Sequence, residues 1–458
     1  MFRRAILSMV LLGNFILSGF SLSAQQTPPD VYSLQRVLEI GINNSYELKK
    51  ARLDEEGANY QRKEIIGTGL PQLNAYGNYN NFLEVTPMGL PGGFINPNSS
   101  PNDIDVVAFG VPQSMQAGAQ LTQLIFSQSY LVGLKAARTS EEFYDLLTRM
   151  SKEDIMYDLA MNYYGIVALE LQRENIEANL AKIENLEKIL KVQYENDLAK
   201  KVDYSRIKVN LVKLEVSRDD LETGIEQRKN YLKLLMGIPI STPFEIEEMS
   251  FDEQEEGLAA AQLNQEIDLQ QRADIQVLNK QDELYDLNIK NIQSGYYPTL
   301  VGFADVNYNT FSNDFSFLSE SKRWYRGSLI GLKLEVPIFD GFQRKNKVAQ
   351  ARVTREQLEQ DRNMATQAAE MDYRNAVQKL NNSIRSAKAQ EENLTLAEDV
   401  YQQTELLYKE GLSPLTDLLD AETALREARS AYYNQIVNVK TAEIELYKST
   451  GNIAVLMQ

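Results

Sequence analysis

Pro71-Gln72-Leu73-Asn74-Ala75-Tyr76-Gly77-Asn78-Tyr79-Asn80-Asn81-Phe82 alternates, with Leu73, Ala75, Gly77 and Tyr79 on one parity and Asn74, Asn78 and Asn80 on the other. Successive side chains of a strand point to opposite faces, so this spacing predicts a strand with one apolar and one polar face. Three further stretches follow the same rule. Residues 116–126 set Ala117, Ala119, Leu121 and Ile125 against Gln116, Gly118, Gln120 and Thr122. Residues 299–309 set Leu300, Gly302, Ala304, Val306 and Tyr308 against Thr299, Asp305, Asn307 and Asn309, and residues 328–338 set Ile330, Leu332, Leu334, Val336 and Ile338 against Lys333 and Glu335. Each stretch has about the length of a tilted strand crossing a bilayer, roughly 9–11 residues. Tyr76, Phe82, Phe126, Tyr297 and Phe311 supply aromatic strand ends, as at membrane interfaces. A half-buried soluble hairpin would also alternate, but the polar opposite faces suit a water-filled bore lined by Asn78, Thr122, Asp305, Lys333 and Glu335.

Each strand pair leads into a long segment without proline, residues 128–196 and 342–409, rich in Ala, Glu, Lys, Gln and Leu. Ile155, Leu159, Asn162, Ile166, Leu169, Arg173, Ile176, Leu180 and Ile183 alternate four-and-three spacing, the seam of a coiled coil. Leu380, Ile384, Ala387, Leu394, Ala397 and Tyr401 do the same in the second segment. Helices this long span roughly 100 Å at 1.5 Å per residue, so they must pack against similar rods.

The chain is self-similar. Pro71-Gln72-Leu73 aligns with Pro298-Thr299-Leu300 at an offset of 227, and Leu124-Ile125-Phe126-Ser127 with Pro337-Ile338-Phe339-Asp340 at 213. Tyr194, Leu198, Asp203, Leu211 and Gly237 fall on Tyr408, Leu412, Asp417, Leu425 and Gly451 at 214. The longer first loop, 83–115 against 310–327, absorbs the step, and its prolines and glycines are loop chemistry. Two units are expected: 25–237, with strands about 71–83 and 115–126, and 258–458, with strands about 298–310 and 327–338. Each unit runs helix (about 33–66 or 258–294), strand, loop, strand, long helix, turn and returning helix (about 203–236 or 415–450), and 238–257 reads as an acidic, equatorial linker.

Met1-Phe2-Arg3-Arg4, an apolar run to Phe20 and Ser21-Leu22-Ser23-Ala24 read as a secretory signal peptide, 1–24. The run is shorter than the roughly 20 apolar residues of a spanning helix, and no later stretch approaches that length, so a membrane role falls to the strands. No cysteine and no histidine occur. That removes disulfides, a thiol nucleophile, the commonest general base and the usual zinc ligands, and points away from an enzyme. No cofactor or metal is called for. The net charge of −17 carries no basic stripe of the kind that binds nucleic acid.

With these elements in place the chain resembles the TolC family of outer-membrane channels over nearly its whole mature length. The most specific local match is Tyr408-Lys409-Glu410-Gly411-Leu412-Ser413-Pro414-Leu415-Thr416-Asp417-Leu418-Leu419-Asp420-Ala421, similar to the family's second helical turn. The resemblance implies a mainly α chain with a small β part, whose four antiparallel strands contribute to a trimeric, twelve-stranded transmembrane barrel continued by a coiled-coil tunnel in the periplasm. It implies a passive homotrimeric conduit, opened by a periplasmic adaptor (membrane fusion protein) and energised by an inner-membrane pump of RND, ABC or MFS type. Asp417 and Asp420 correspond to entrance-lining aspartates. Three apart on a helix they share a face, and in a trimer would form stacked carboxylate rings that favour cations. The gate contacts carry over to Asp203 and Tyr408, and the adaptor-contacting turns to Leu198, Gly411 and Leu412. Ser413 stands where the family often has arginine, and Asp197 where it usually has glycine. A poreless periplasmic coiled-coil scaffold is the competing reading. It explains the helices but not the paired alternating strands.

Overall fold

The computed structural model describes residues 30–457, apart from 94, 96, 99, 109, 248–268 and 318–322. The expected leader, and the linker past residue 247, lie outside the described residues. Two rods dominate: α3 (Gln128–Glu195) and α6 (Gln343–Lys409), 68 and 67 residues long. The helices α2 (Tyr46–Thr68) and α5 (Ala273–Ser294) lead into strands, and α4 (Lys201–Met236) and α7 (Leu415–Ser449) return from the rod tips.

Four strands, β2 (Gln72–Asn81), β5 (Gln113–Ser127), β7 (Thr299–Ser312) and β8 (Tyr325–Glu335), form one antiparallel sheet in the order β2-β5-β7-β8. The helices continue that order. Near the sheet α3 packs between α2 and α5, and α6 lies beside α5; farther along, the row becomes α4-α3-α7-α6. Charged braces cross it. The Arg62 guanidinium meets Glu141 at 2.7 Å between α2 and α3, and Arg355 grips Asp282 and Asp286 at 2.8 and 3.0 Å between α6 and α5.

The predicted α3 seam faces inward. Ile155, Leu159, Ile166, Leu180 and Ile183 are buried, with Leu169 and Ile176 half-buried. The broadest core sits midway along α3, where α1 (Leu34–Asn44), α4 and α7 converge: Val37, Leu38, Leu159, Ile166, Leu232 and Ile444 meet there. The expected linker contributes to it. Strand β6 (Phe244–Ile246) pairs in parallel with β1 (Asp30–Tyr32), and the Phe244 and Tyr32 rings stack at 4.6 Å.

Two local expectations change. The helix predicted over 33–66 is two helices broken at Ser45, whose φ/ψ of −49/133° is extended. Gly237, left-handed at φ 68° at the end of α4, packs into the break, where a Cβ would lie 2.2 Å from the Asn44 carbonyl oxygen. Gly451 at φ 71° closes α7 against Arg272 in the same manner, at the offset positions. The loop 83–115 carries its own hairpin, β3 (Pro87–Pro91) with β4 (Ile104–Ala108). Its prolines sit at the ends of an edge strand, where no ladder N–H is needed.

Candidate functional site

The sheet register decides which side chains share a face. Gln72 pairs Thr122, Thr122 pairs Phe303 and Phe303 pairs Gly331. Alternation from that row puts Asn78, Thr122, Asp305, Lys333 and Glu335 on one side, with Asn74, Gln116, Gln120, Asn307 and Asn309. Leu73, Ala75, Tyr79, Ala119, Leu121, Leu300, Val306, Ile330, Leu332 and Leu334 take the other. The sheet is therefore polar on one face and apolar on the other, and the outer edges of β2 and β8 have no strand beside them among the described residues.

The polar face holds a network that sequence reasoning missed. The Tyr76 hydroxyl donates to Asp305 Oδ2 at 2.9 Å, Asn307 Nδ2 donates to Asp305 Oδ1 at 2.5 Å, and Asn309 Nδ2 to Asn307 Oδ1 at 2.7 Å. These bonds leave Asp305 only 8% exposed. Tyr76, grouped in the sequence with aromatic strand ends, belongs instead to the polar side, because its parity is that of Asn74 and Asn78. Lys333 and Glu335 pair at 3.1 Å farther along, away from Asp305.

The two hairpin tips are built alike. Leu198 N–H bonds to Gln193 O at 2.7 Å and Leu412 N–H to Leu407 O at 2.8 Å; Asp197 N–H bonds to Tyr194 O at 3.1 Å and Gly411 N–H to Tyr408 O at 3.0 Å. Asp197 and Gly411 both take the left-handed backbone, at φ 59° and 74°. The tip leucines point outward, Leu198 80% and Leu412 75% exposed.

Behind the tips, Tyr408 packs with Leu415, Ile207 and Leu190 in a small apolar cluster. Burial, with the nearby Asp203 charge, pushes its hydroxyl pKa up. Asp203 has no ion pair among the described residues, so Lys200, Lys201 and Arg206 do not clamp it. Asp417 and Asp420 are exposed at the start of α7, and the Ser413 hydroxyl donates to Asp417 Oδ2 at 2.9 Å. One turn deeper Glu422 is buried, its Oε1 without a hydrogen-bond partner. Burial raises its pKa against the pull of Arg426 and Lys182. Lys182 Nζ, on α3, lies 4.8 Å from the centre of the Tyr401 ring on α6. No helix among the described residues is long and apolar enough to cross a membrane.

Residues 266–452 match the family model described as "Outer membrane efflux protein". The outer membrane protein TolC of Escherichia coli (strain K12) is 23% identical over 450 residues, covering 92% of this chain and 84% of that one. The probable outer membrane lipoprotein SilC of Salmonella typhimurium is 23% identical over 454 residues, covering 94% and 91%. Among solved structures, VceC of Vibrio cholerae superposes with a TM-score of 0.70 at 17% identity, covering 91% of this chain and 96% of that one. The Campylobacter jejuni CmeC outer membrane channel gives 0.72 at 15%, covering 92% and 86%. Those structures share the fold. The family model over residues 266–452, the relatives along nearly the whole chain and the two-faced sheet converge, and the chain is similar throughout to TolC-like efflux proteins of the bacterial outer membrane.

Proposed function

We propose that the chain is one subunit of a homotrimeric passive conduit, in which three sheets close into one barrel and the rods form a periplasmic tunnel. The observation that carries this is a two-faced sheet with both outer edges open. Open edges are untenable in lipid, and an exposed apolar face is costly in water. Four strands are too few to close alone, since a small filled barrel takes about eight. The ends of the helix row support the same closure. Tyr46, Leu53 and Tyr60 on α2, and Val202, Val209 and Val216 on α4, are exposed at heptad spacing. The opposite end, α6, exposes Val353, Met364, Met371, Leu396, Val400 and Leu407 along one stripe. Each stripe is a coiled-coil seam without a partner among the described residues.

Matching tip bonds and the matching Gly237 and Gly451 contacts support two tandem units, 25–237 and 258–458. The polar face, with Asn78, Thr122, Asp305, Lys333 and Glu335, lines the bore. Asp417 and Asp420 ring the periplasmic entrance, and Tyr408 with Asp203 belongs to its closed state. Leu198, Gly411 and Leu412 receive the adaptor, and an inner-membrane pump supplies the energy. The test is direct: protein extracted from outer membranes in detergent forms a trimer that conducts ions in a lipid bilayer. A soluble, non-conducting protein would overturn the reading in favour of a periplasmic scaffold.

A further inference from the structure

The apolar side of β8 does not stop at the sheet. Ile330, Leu332 and Leu334 are followed at the same parity by Val336 and Ile338, all exposed, Ile338 by 95%. Phe339 and Phe342 come next, both exposed, their rings edge-to-face at 5.5 Å. Phe342 occupies the N-cap of α6 at φ 65°, a conformation rare for a bulky residue, and offers the helix no side-chain cap. The aligned residues cap both helices: Ser127 Oγ accepts from Tyr130 N–H, and Asp340 Oδ2 accepts from Arg344 N–H at 3.1 Å.

The residues that follow are basic without relief. Between 341 and 355 stand Arg344, Lys345, Lys347, Arg352 and Arg355, with no Asp or Glu. Arg344 is held by Asp340 at 3.3 Å and Arg355 by Asp282 and Asp286. Lys345, Lys347 and Arg352 are exposed and have no ion pair among the described residues. Cations in the first turn oppose the helix dipole; Lys345 Nζ lies 6.0 Å from the centre of the Phe342 ring, and Arg352 lines a cleft with Asp282, Asp286, Glu356 and Glu359. The equivalent stretch of the first unit, 128–142, balances Lys135 and Arg138 with Glu141 and Glu142. The element can therefore be built without net charge.

We propose that the exit of β8 and the first turns of α6 dock the anionic headgroups of phospholipids in the periplasmic leaflet. This rests on the sheet lying in the outer membrane. Ile338, Phe339 and Phe342 continue the lipid-facing surface to headgroup depth, where aromatic rings settle. Lys345 and Lys347 follow within the first turn and a half, Lys345 beside the Phe342 ring, with their charges at the phosphates, and Arg352 stands about 15 Å along the helix from Phe342. On a chain of net charge −17 this local positive patch complements an anionic lipid surface.

The experiment is native mass spectrometry of the full-length protein in detergent, titrated with equal phosphatidylglycerol and phosphatidylcholine of the same acyl chains. Phosphatidylglycerol should be retained several-fold over phosphatidylcholine, and Lys345→Gln/Lys347→Gln/Arg352→Gln should bring the ratio to about one with conductance unchanged. Equal retention by the parent, an undiminished preference in the triple variant, or efficient disulfide formation between Phe339→Cys and Leu70→Cys on a second copy would each overturn it. A conducting channel without lipid preference fails this proposal alone, whereas a protein that never enters bilayers fails the channel reading beneath it.

Discussion

The hydroxyl of Tyr76 on β2 reaches across β5 to Asp305 on β7, donating to its carboxylate at 2.9 Å and tying strands from opposite ends of the sequence. Gly118 on β5 makes the crossing possible, since a Cβ there would come within 2.9 Å of both the Tyr76 ring and the Asn307 Cβ. Tyr76→Phe leaves a nearly buried carboxylate short of a donor and should cost about 1–3 kcal/mol. Gly118→Ala should act in the same direction. The check is the temperature at which the detergent-solubilised oligomer dissociates; an unmoved temperature in both variants would show the bond to be idle.

At the hairpin tips the same left-handed backbone is held by different residues, Asp197 and Gly411. Glycine adopts that conformation freely, so Asp197→Gly should stabilise its hairpin by roughly 0.5–1 kcal/mol, and Gly411→Ala should destabilise the other by about 1–2 kcal/mol. Hydrogen exchange at Leu198 and Leu412 N–H reads the two changes separately. Equal protection in parent and variants would refute the strain argument.

Asp417→Asn with Asp420→Asn removes two exposed carboxylates per chain from the start of α7. At a ring-lined constriction this should raise single-channel current and weaken block by divalent cations, because acidic rings hold cations at the mouth. Bilayer recordings that match the parent would remove these residues from the entrance.

Leu198→Glu with Leu412→Glu places charge on both exposed tip leucines. Nothing among the described residues covers these side chains, so assembly should persist while efflux is lost. Drug-susceptibility assays and blue native gels report the two halves. Full retained resistance would argue that no partner docks at the tips.

Glu422 carries a pH signature. Its folded pKa lies above the ordinary 4.5 because burial disfavours the charged carboxylate. Between 4.5 and the raised value the folded state binds more protons than the unfolded one, so stability falls as pH rises through that window. Glu422→Gln should flatten this slope in thermal melts from pH 4.5 upward. A slope identical to the parent's would assign it to other buried carboxylates, such as Glu443, also raised by burial.

Much of the architecture is legible in one dimension. The parity of residues 71–82 separates the faces of β2, the four-and-three spacing of 155–183 marks the buried side of α3, and the near-constant offset pairs Leu198 with Leu412. These are local periodicities, set by the pleat of a strand and the turn of a helix, and the chain carries them wherever it goes. The tip motif around Asp417 rests instead on resemblance to the family's helical turn, not on a periodicity.

Other features came only from the packed chain. No periodicity announces that Tyr76 and Asp305 meet, because 229 residues separate them and the bond depends on the register of three strands at once. The break at Ser45 depends on Gly237 arriving at the end of another helix, and the strand at Phe244 exists because Tyr32 offers it an edge and a ring. Nor does sequence pattern reveal that Lys345, Lys347 and Arg352 lack ion pairs among the described residues, since Arg344 and Arg355 in the same basic stretch find theirs on Asp340, Asp282 and Asp286. The sequence by itself determined which faces are apolar, which are polar and where the chain turns back. The tertiary structure decided which edges stay open, which charges stay unpaired and which strands are joined across the sheet, because contact between distant segments follows from three-dimensional register.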